Sequence, residues 1–158
     1  MARRGDPEKS ALIQTVIEAF RETGNRDRAF DNVAAERLGV IETDGYCLSV
    51  LERAGGMTAG ELARAAGLSR GAVTGVLDRL ERAGYARRQR DSVDRRRVNI
   101  EVTPKFHAAG REIWGPLASD WNATLNSEFS ADELARIGDF LRAAGEISTR
   151  HANRLRGR

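Results

Sequence analysis

Residues 43–84 are punctuated so densely that only short helices fit between the stops. Thr43 and Asp44 are placed to cap a helix carrying Leu48, Val50 and Leu51, which Gly55 and Gly56 end. Thr58, with Glu61 three residues later, has the capping-box form, and the helix after it holds Leu62, Ala65 and Ala66 before Gly67. A three-residue turn follows, and Ser69 caps a third helix. Its apolar positions Val73, Val76, Leu77 and Leu80 recur at i, i+3, i+4 and i+7 until Gly84 closes it. Two short helices joined by a turn containing Gly are the helix-turn-helix outline.

Past Gly84 the apolar period shortens. Residues 85–90 and 98–102 read as strands flanking a polar tip at 91–97, with Val98, Ile100 and Val102 alternating with Asn99 and Glu101. Thr103 and Pro104 then restart a helix along Phe106, Ile113, Trp114, Leu117, Trp121 and Leu125, which Pro116 should kink. A second capping box, Ser130 and Glu133, opens a last helix through Leu134, Ile137, Phe140, Leu141, Ala144 and Ile147. Before residue 43, Asp6 and Pro7 start a helix through Leu12, Ile13, Val16, Ile17 and Phe20, ended by Gly24 and Asn25. A second apolar set, Ala29, Phe30, Val33, Ala34 and Leu38, runs to Gly39, so residues 1–40 are either two helices or one broken one.

At 158 residues, 41% hydrophobic and 31% charged, the chain suits one compact domain, or a small domain plus an oligomerisation element. With Cys47 alone, and His107 and His151 the only histidines, no disulfide, zinc set or cofactor is expected. Nor is there a glycine-rich phosphate loop after a strand or a Ser, His and Asp set, so the chain is not expected to be an enzyme. No run of eighteen apolar residues occurs, and the charged start lacks a following apolar stretch; the expectation is no membrane span, no signal peptide and a cytoplasmic protein.

Lys occurs only at Lys9 and Lys105, so the cationic content is nearly all Arg, the side chain best shaped for bidentate phosphate contacts. On the third helix of the punctuated stretch, Arg70, Gly71, Thr74, Asp78 and Arg82 lie opposite the apolar stripe. Arg70 sits in the first turn, where a recognition helix points at base edges, and Thr74 one turn later. Gly71 and Gly75 weaken a helix, and close approach of another surface is one reason to keep them. Taken alone, that face is also what an ordinary solvated helix shows. The hairpin adds to it: Arg87, Arg88, Arg90, Arg95, Arg96 and Arg97 stand against Asp91 and Asp94, a local charge of +4 in eleven residues. Such a tip suits a phosphate backbone or a narrow minor groove, although charge also keeps edge hairpins soluble. Asp94 and Arg96, two apart, can lie on one side and pair.

These residues resemble the MarR family of winged helix-turn-helix transcriptional regulators. The resemblance spans about the whole chain and rests most on Met57, Thr58, Ala59, Gly60, Glu61, Leu62 and Ala63, on residues 71–84 ending in Leu80, Glu81, Arg82, Ala83 and Gly84, and on Asp91, Ser92, Val93, Asp94, Arg95 and Arg96. It implies a mainly α fold with a small β-hairpin wing: residues 1–40 as N-terminal dimerisation helices, 41–103 as the DNA-binding lobe, and 104–158 as C-terminal dimerisation helices. It further implies a homodimer that binds a palindromic operator in double-stranded DNA, commonly as a repressor, and releases it when a small aromatic effector binds. Some relatives sense oxidants through a cysteine near the start of the first helix; here Cys47 lies elsewhere and reads as a buried, inert thiol.

The expected DNA-binding residues are Ser69, Arg70, Gly71 and Thr74 in the major groove, and Arg96 with Arg95 in the minor groove, beside Asp94. Arg87, Arg88, Arg90 and Arg97 read equally as phosphate contacts or solvated charges. Pocket candidates are Phe30, Tyr46, Phe106 and Trp114, although periodicity accounts for all but Tyr46 as core. The competing reading is a winged helix that binds protein, or a nonspecific nucleoid-associated module, with no ligand.

Overall fold

The computed structural model describes residues 6–90 and 97–157. Six helices and three short strands follow one another as α1 (Pro7–Leu38), α2 (Glu42–Ala54), β1 (Met57–Thr58), α3 (Ala59–Ala66), α4 (Arg70–Ala83), β2 (Ala86–Arg90), β3 (Val98–Val102), α5 (Pro104–Glu128) and α6 (Ala131–Leu155). The molecule is thus mainly helical with a β-hairpin.

Four of the expected stops hold. Gly39, Gly55, Gly67 and Gly84 each take up left-handed backbone just past α1, α2, α3 and α4, where their amides satisfy carbonyls of the last turn. Both capping boxes form: Thr58 with Glu61 opens α3, and Ser130 with Glu133 opens α6. Two expectations change. Among the described residues up to Val40 there is one helix of 32 residues, which passes through Gly24 and Asn25. Gly24 keeps a negative φ, and the Glu22–Arg26 ion pair and the Arg28–Asn25 hydrogen bond stitch neighbouring turns across that stretch. At α2 the N-cap is Ile41, without a side-chain cap, because the Asp44 carboxylate is engaged elsewhere. As expected, α5 carries Pro116 within its span.

β1, only two residues long, was not foreseen. It pairs antiparallel with β3 through Met57↔Ile100 and Thr58↔Asn99, and β2 pairs on the other side from Ala86↔Val102 to Arg90↔Val98, giving the order β1-β3-β2. Gly56 is needed at this junction: its φ is +108°, and a Cβ there would come within 3.0 Å of Glu101 Cγ and 3.2 Å of the Ile100 carbonyl oxygen.

The chain divides into two compact units, Met1–Gly110 and Arg111–Arg158. The first holds the core: Leu48, Leu51, Leu62, Val73, Val76, Leu77, Leu80 and Ile100 are almost wholly buried, with Ala34, Ala35 and Leu38 at the end of α1 joining them. Tyr85, at the exit of α4, ties three elements together. Its hydroxyl donates to the Leu38 carbonyl at 3.2 Å, its ring meets Phe106 edge-on at 6.1 Å, and Lys105 lies over it while donating to the Ala83 carbonyl. In the second unit no described residue is buried, and Trp121, Leu125, Phe129, Phe140, Leu141 and Ile147 are exposed.

Candidate nucleic-acid interface

Helix α4 starts where its sequence says it should. The Ser69 hydroxyl accepts from the Ala72 amide at 3.2 Å, which fixes the first turn, and the buried stripe Val73, Val76, Leu77 and Leu80 turns the opposite face outward. Arg70, Gly71, Thr74, Asp78 and Arg82 are all exposed on that face. Thr74 donates to the Arg70 carbonyl at 3.0 Å, so its oxygen retains lone pairs for an outside donor. Among the described residues Arg70 has no ion-pair partner. A Cβ on Gly71 would meet nothing within 4 Å, so nothing inside the described molecule requires glycine there.

The orientation of α4 is held by a contact that the sequence reading missed. Arg79 donates from Nε and Nη2 to both oxygens of Asp44, at 2.8 and 2.7 Å, a two-pronged pair between α4 and α2. The Asp44 side chain is 2% exposed and that of Arg79 40%, so the guanidinium reaches in from the surface to a buried carboxylate. This hydrogen bonding holds the Arg79 pKa above its ordinary value. The available signal was periodicity: Asp44, Cys47, Leu48 and Leu51 are spaced i, i+3, i+4 and i+7, which puts a carboxylate in line with the apolar stripe. One turn away, the Cys47 thiol is fully buried, and its pKa is pushed up to about 11, mostly by burial and further by the Asp44 charge.

In the hairpin, three of the four described arginines are already engaged. Arg87 pairs with Glu101 directly across the strands at 3.1 Å, and Arg97 reaches Glu61 on α3 at 3.0 Å. Arg88 grips two carboxylates of α4: one guanidinium nitrogen contacts Glu81 and another Asp78 at 3.1 Å, while its backbone amide donates to Glu81 at 3.2 Å. Arg90 is exposed, with no ion-pair partner among the described residues. Asp94, Arg95 and Arg96, and with them the expected pairing of Asp94 with Arg96, lie outside the described residues. Glu61 serves twice, because its other oxygen accepts from the Thr58 amide and hydroxyl at 2.8 and 2.7 Å. Those two bonds, then Arg97, hold its carboxyl below the ordinary carboxylate range.

The four aromatic pocket candidates fare unevenly. Phe106 is 2% exposed and belongs to the core, Tyr46 is half exposed on α2, and Phe30 is half-buried on α1. Trp114 is half-buried in the second unit. An open cleft of about 690 Å³ lies instead at the base of the hairpin, lined by Gly56, Met57, Glu61, Arg64, Arg97 and Asn99 among others. Among the described residues no group of three or more His, Cys, Asp or Glu side chains could hold a metal ion, and no helix is long and apolar enough to cross a membrane.

Residues 38–97, which run from the end of α1 through the helix-turn-helix and the hairpin, match the MarR family model. Over 148 residues the sequence is 38% identical to the Bacillus subtilis (strain 168) protein named "Uncharacterized HTH-type transcriptional regulator YcgE", covering 94% of this chain and 96% of that one. Among solved structures, a MarR family transcription regulator matches with a TM-score of 0.67 at 20% identity, over 92% of this chain and 96% of its own. A mutant MepR of S. aureus bound to an oligodeoxyribonucleotide matches with a TM-score of 0.55 at 23% identity, over 83% of this chain and 96% of its own. At such identities the structural matches establish a shared fold.

Proposed function

The chain belongs to the MarR family of transcriptional regulators, and we propose that it works as a homodimeric repressor on a palindromic operator, released by a small aromatic molecule. The observation that carries the DNA part of this reading is the outward face of α4, where Arg70 and Thr74 stand exposed on a helix whose first turn is capped by Ser69. In this reading Arg70 and Thr74 meet base edges in the major groove, Gly71 lets the helix backbone approach the duplex, and Arg90 meets a phosphate. Arg95 and Arg96, beside Asp94, enter the minor groove.

Two-fold assembly is supported by apolar surface that one chain leaves open. Leu12, Ile13, Val16, Ile17 and Phe20 are exposed along α1, as are Trp121 and Leu125 on α5 and Phe140, Leu141 and Ile147 on α6. Contiguous apolar stripes of this kind mark protein interfaces. Two lobes on one face of the duplex then set half-sites about 10 bp apart, centre to centre. For the effector, Tyr46 is the pocket candidate that one chain leaves most exposed to a ligand.

The test is selection of bound duplexes from a randomised pool at two salt concentrations. Recovery of an inverted repeat, with affinity falling steeply as salt rises, is the expected result. Binding that ignores sequence, or that an apolar partner protein replaces without salt dependence, would overturn the operator reading and favour a nucleoid or protein-docking module.

A further inference from the structure

Arg88 stands among the hairpin cations that suit a phosphate backbone, yet its surroundings describe a different task. β2 is the outer strand of the order β1-β3-β2, so among the described residues one of its edges has no strand partner. On that edge the Arg88 amide donates to Glu81 rather than to another strand, and the same carboxylate receives the Arg88 guanidinium. The second prong of the guanidinium reaches Asp78, one helical turn earlier on α4. Glu81 therefore holds both the backbone and the side chain of one hairpin residue, and Arg88 spans two turns of the helix that carries Arg70 and Thr74. An isolated exposed ion pair contributes little, but a chelate that includes a main-chain donor fixes direction as well as distance.

The geometry points to Arg88 as a positioning residue for DNA binding: with Glu81 and Asp78 it sets the hairpin against α4, so that groove contacts from the two elements are spaced before the duplex arrives. It does not act as a phosphate contact. This inference rests on the DNA-binding reading above and goes beyond it, because it assigns two acidic residues a favourable part in binding a polyanion. Electrostatics alone predicts the reverse. Removing the charge of Glu81 or Asp78 takes a negative group away from the interface and should tighten binding; loss of a pre-set spacing should weaken it.

The sign of the effect decides. The full-length Glu81→Gln, Arg88→Met and Arg90→Met variants, and the Glu81→Gln/Arg88→Met double variant, are titrated with the duplex selected by the wild type across a range of salt. Expected are affinities about tenfold weaker for Glu81→Gln and for Arg88→Met, each with the wild-type salt slope, and a double variant no weaker than either single one. Arg90→Met should weaken binding and lower the slope by about one, as for a lost phosphate contact. Arg88→Lys, which keeps the charge but loses the fork, should fall between Arg88→Met and the wild type; it serves if Arg88→Met does not fold. Unchanged or tighter binding by Glu81→Gln, or a slope reduced by about one in Arg88→Met, would overturn the positioning role while leaving the DNA reading intact. A wild type that selects no duplex would overturn the DNA reading and this inference with it.

Discussion

Six of the seven leucines in residues 34–106 are buried, whereas in α6 Leu141 and Leu155 face outward. Leu48, Leu62, Leu77 and Leu80 are at most 1% exposed, while Leu141 is 51% exposed and α6 buries no residue at all. Both regions contain well-formed helices, so hydrogen bonding within the helices does not separate them. What separates them is packing: the lobe closes its core with short helices turned back at glycine stops and a sheet laid beside them, but a long straight helix can cover its stripe only with another surface. A chain built this way has a part that closes a core on its own contacts and a part whose apolar side chains stay exposed.

The comparison breaks most visibly at a matched pair of leucines. Leu80→Ala should destabilise the lobe by roughly 2 to 5 kcal/mol, the cost of a core cavity, at every protein concentration. Leu141→Ala should leave the unfolding of the dilute chain unchanged and weaken self-association, seen in sedimentation as a shift toward 17.4 kDa from twice that mass. Equal losses from the two substitutions in dilute denaturant titrations would remove the distinction. A smaller effect is expected at the start of α4, where Ser69→Ala should cost about 1 kcal/mol by freeing the Ala72 amide. Gly71→Ala has the opposite sign, a gain of about 0.5 to 1 kcal/mol in thermal unfolding, because the added methyl group meets open space. The same substitution should weaken duplex binding if the backbone there approaches DNA. Alanine that stabilises without weakening binding would leave Gly71 outside the contact surface.

The two capping boxes offer the finest test, one in each region. Glu61 is held below its ordinary value of 4.5 first by the Thr58 amide and hydroxyl, and Glu133 first by the Ser130 hydroxyl and amide. With the folded value below the unfolded one, the stabilisation is complete above pH 4.5 and lost as pH falls through the folded value. Glu61→Gln should flatten the acid limb of lobe unfolding, and Glu133→Gln that of α6 helicity followed by circular dichroism. Carboxyl titrations by NMR that place either group above 4.5 would refute the assignment.

Most stops and starts in this fold are legible because each is decided by neighbours a few residues apart: Gly84 needs only its own φ, and Thr58 needs only Glu61. Asp44 misleads because capping is a local option for it, whereas its partner Arg79 lies 35 residues on. The hairpin arginines show the same limit. Their clustering is plain in the sequence, but the partners of Arg88 and Arg97 are on helices, up to 36 residues away. Gly24 misleads for another reason, since a glycine that can end a helix does so only when the chain beyond it has better contacts to make than the next helical turn.

Cys47 gives the lobe a built-in clock. It is the one cysteine of the chain, it is fully buried, and with its pKa near 11 almost none of it is thiolate at neutral pH. An alkylating reagent can reach it only when the packing around α2 opens, so the labelling rate of native protein counts openings of the lobe. Bound duplex should slow that rate, which would let occupancy be timed by mass spectrometry in a protein carrying no attached probe.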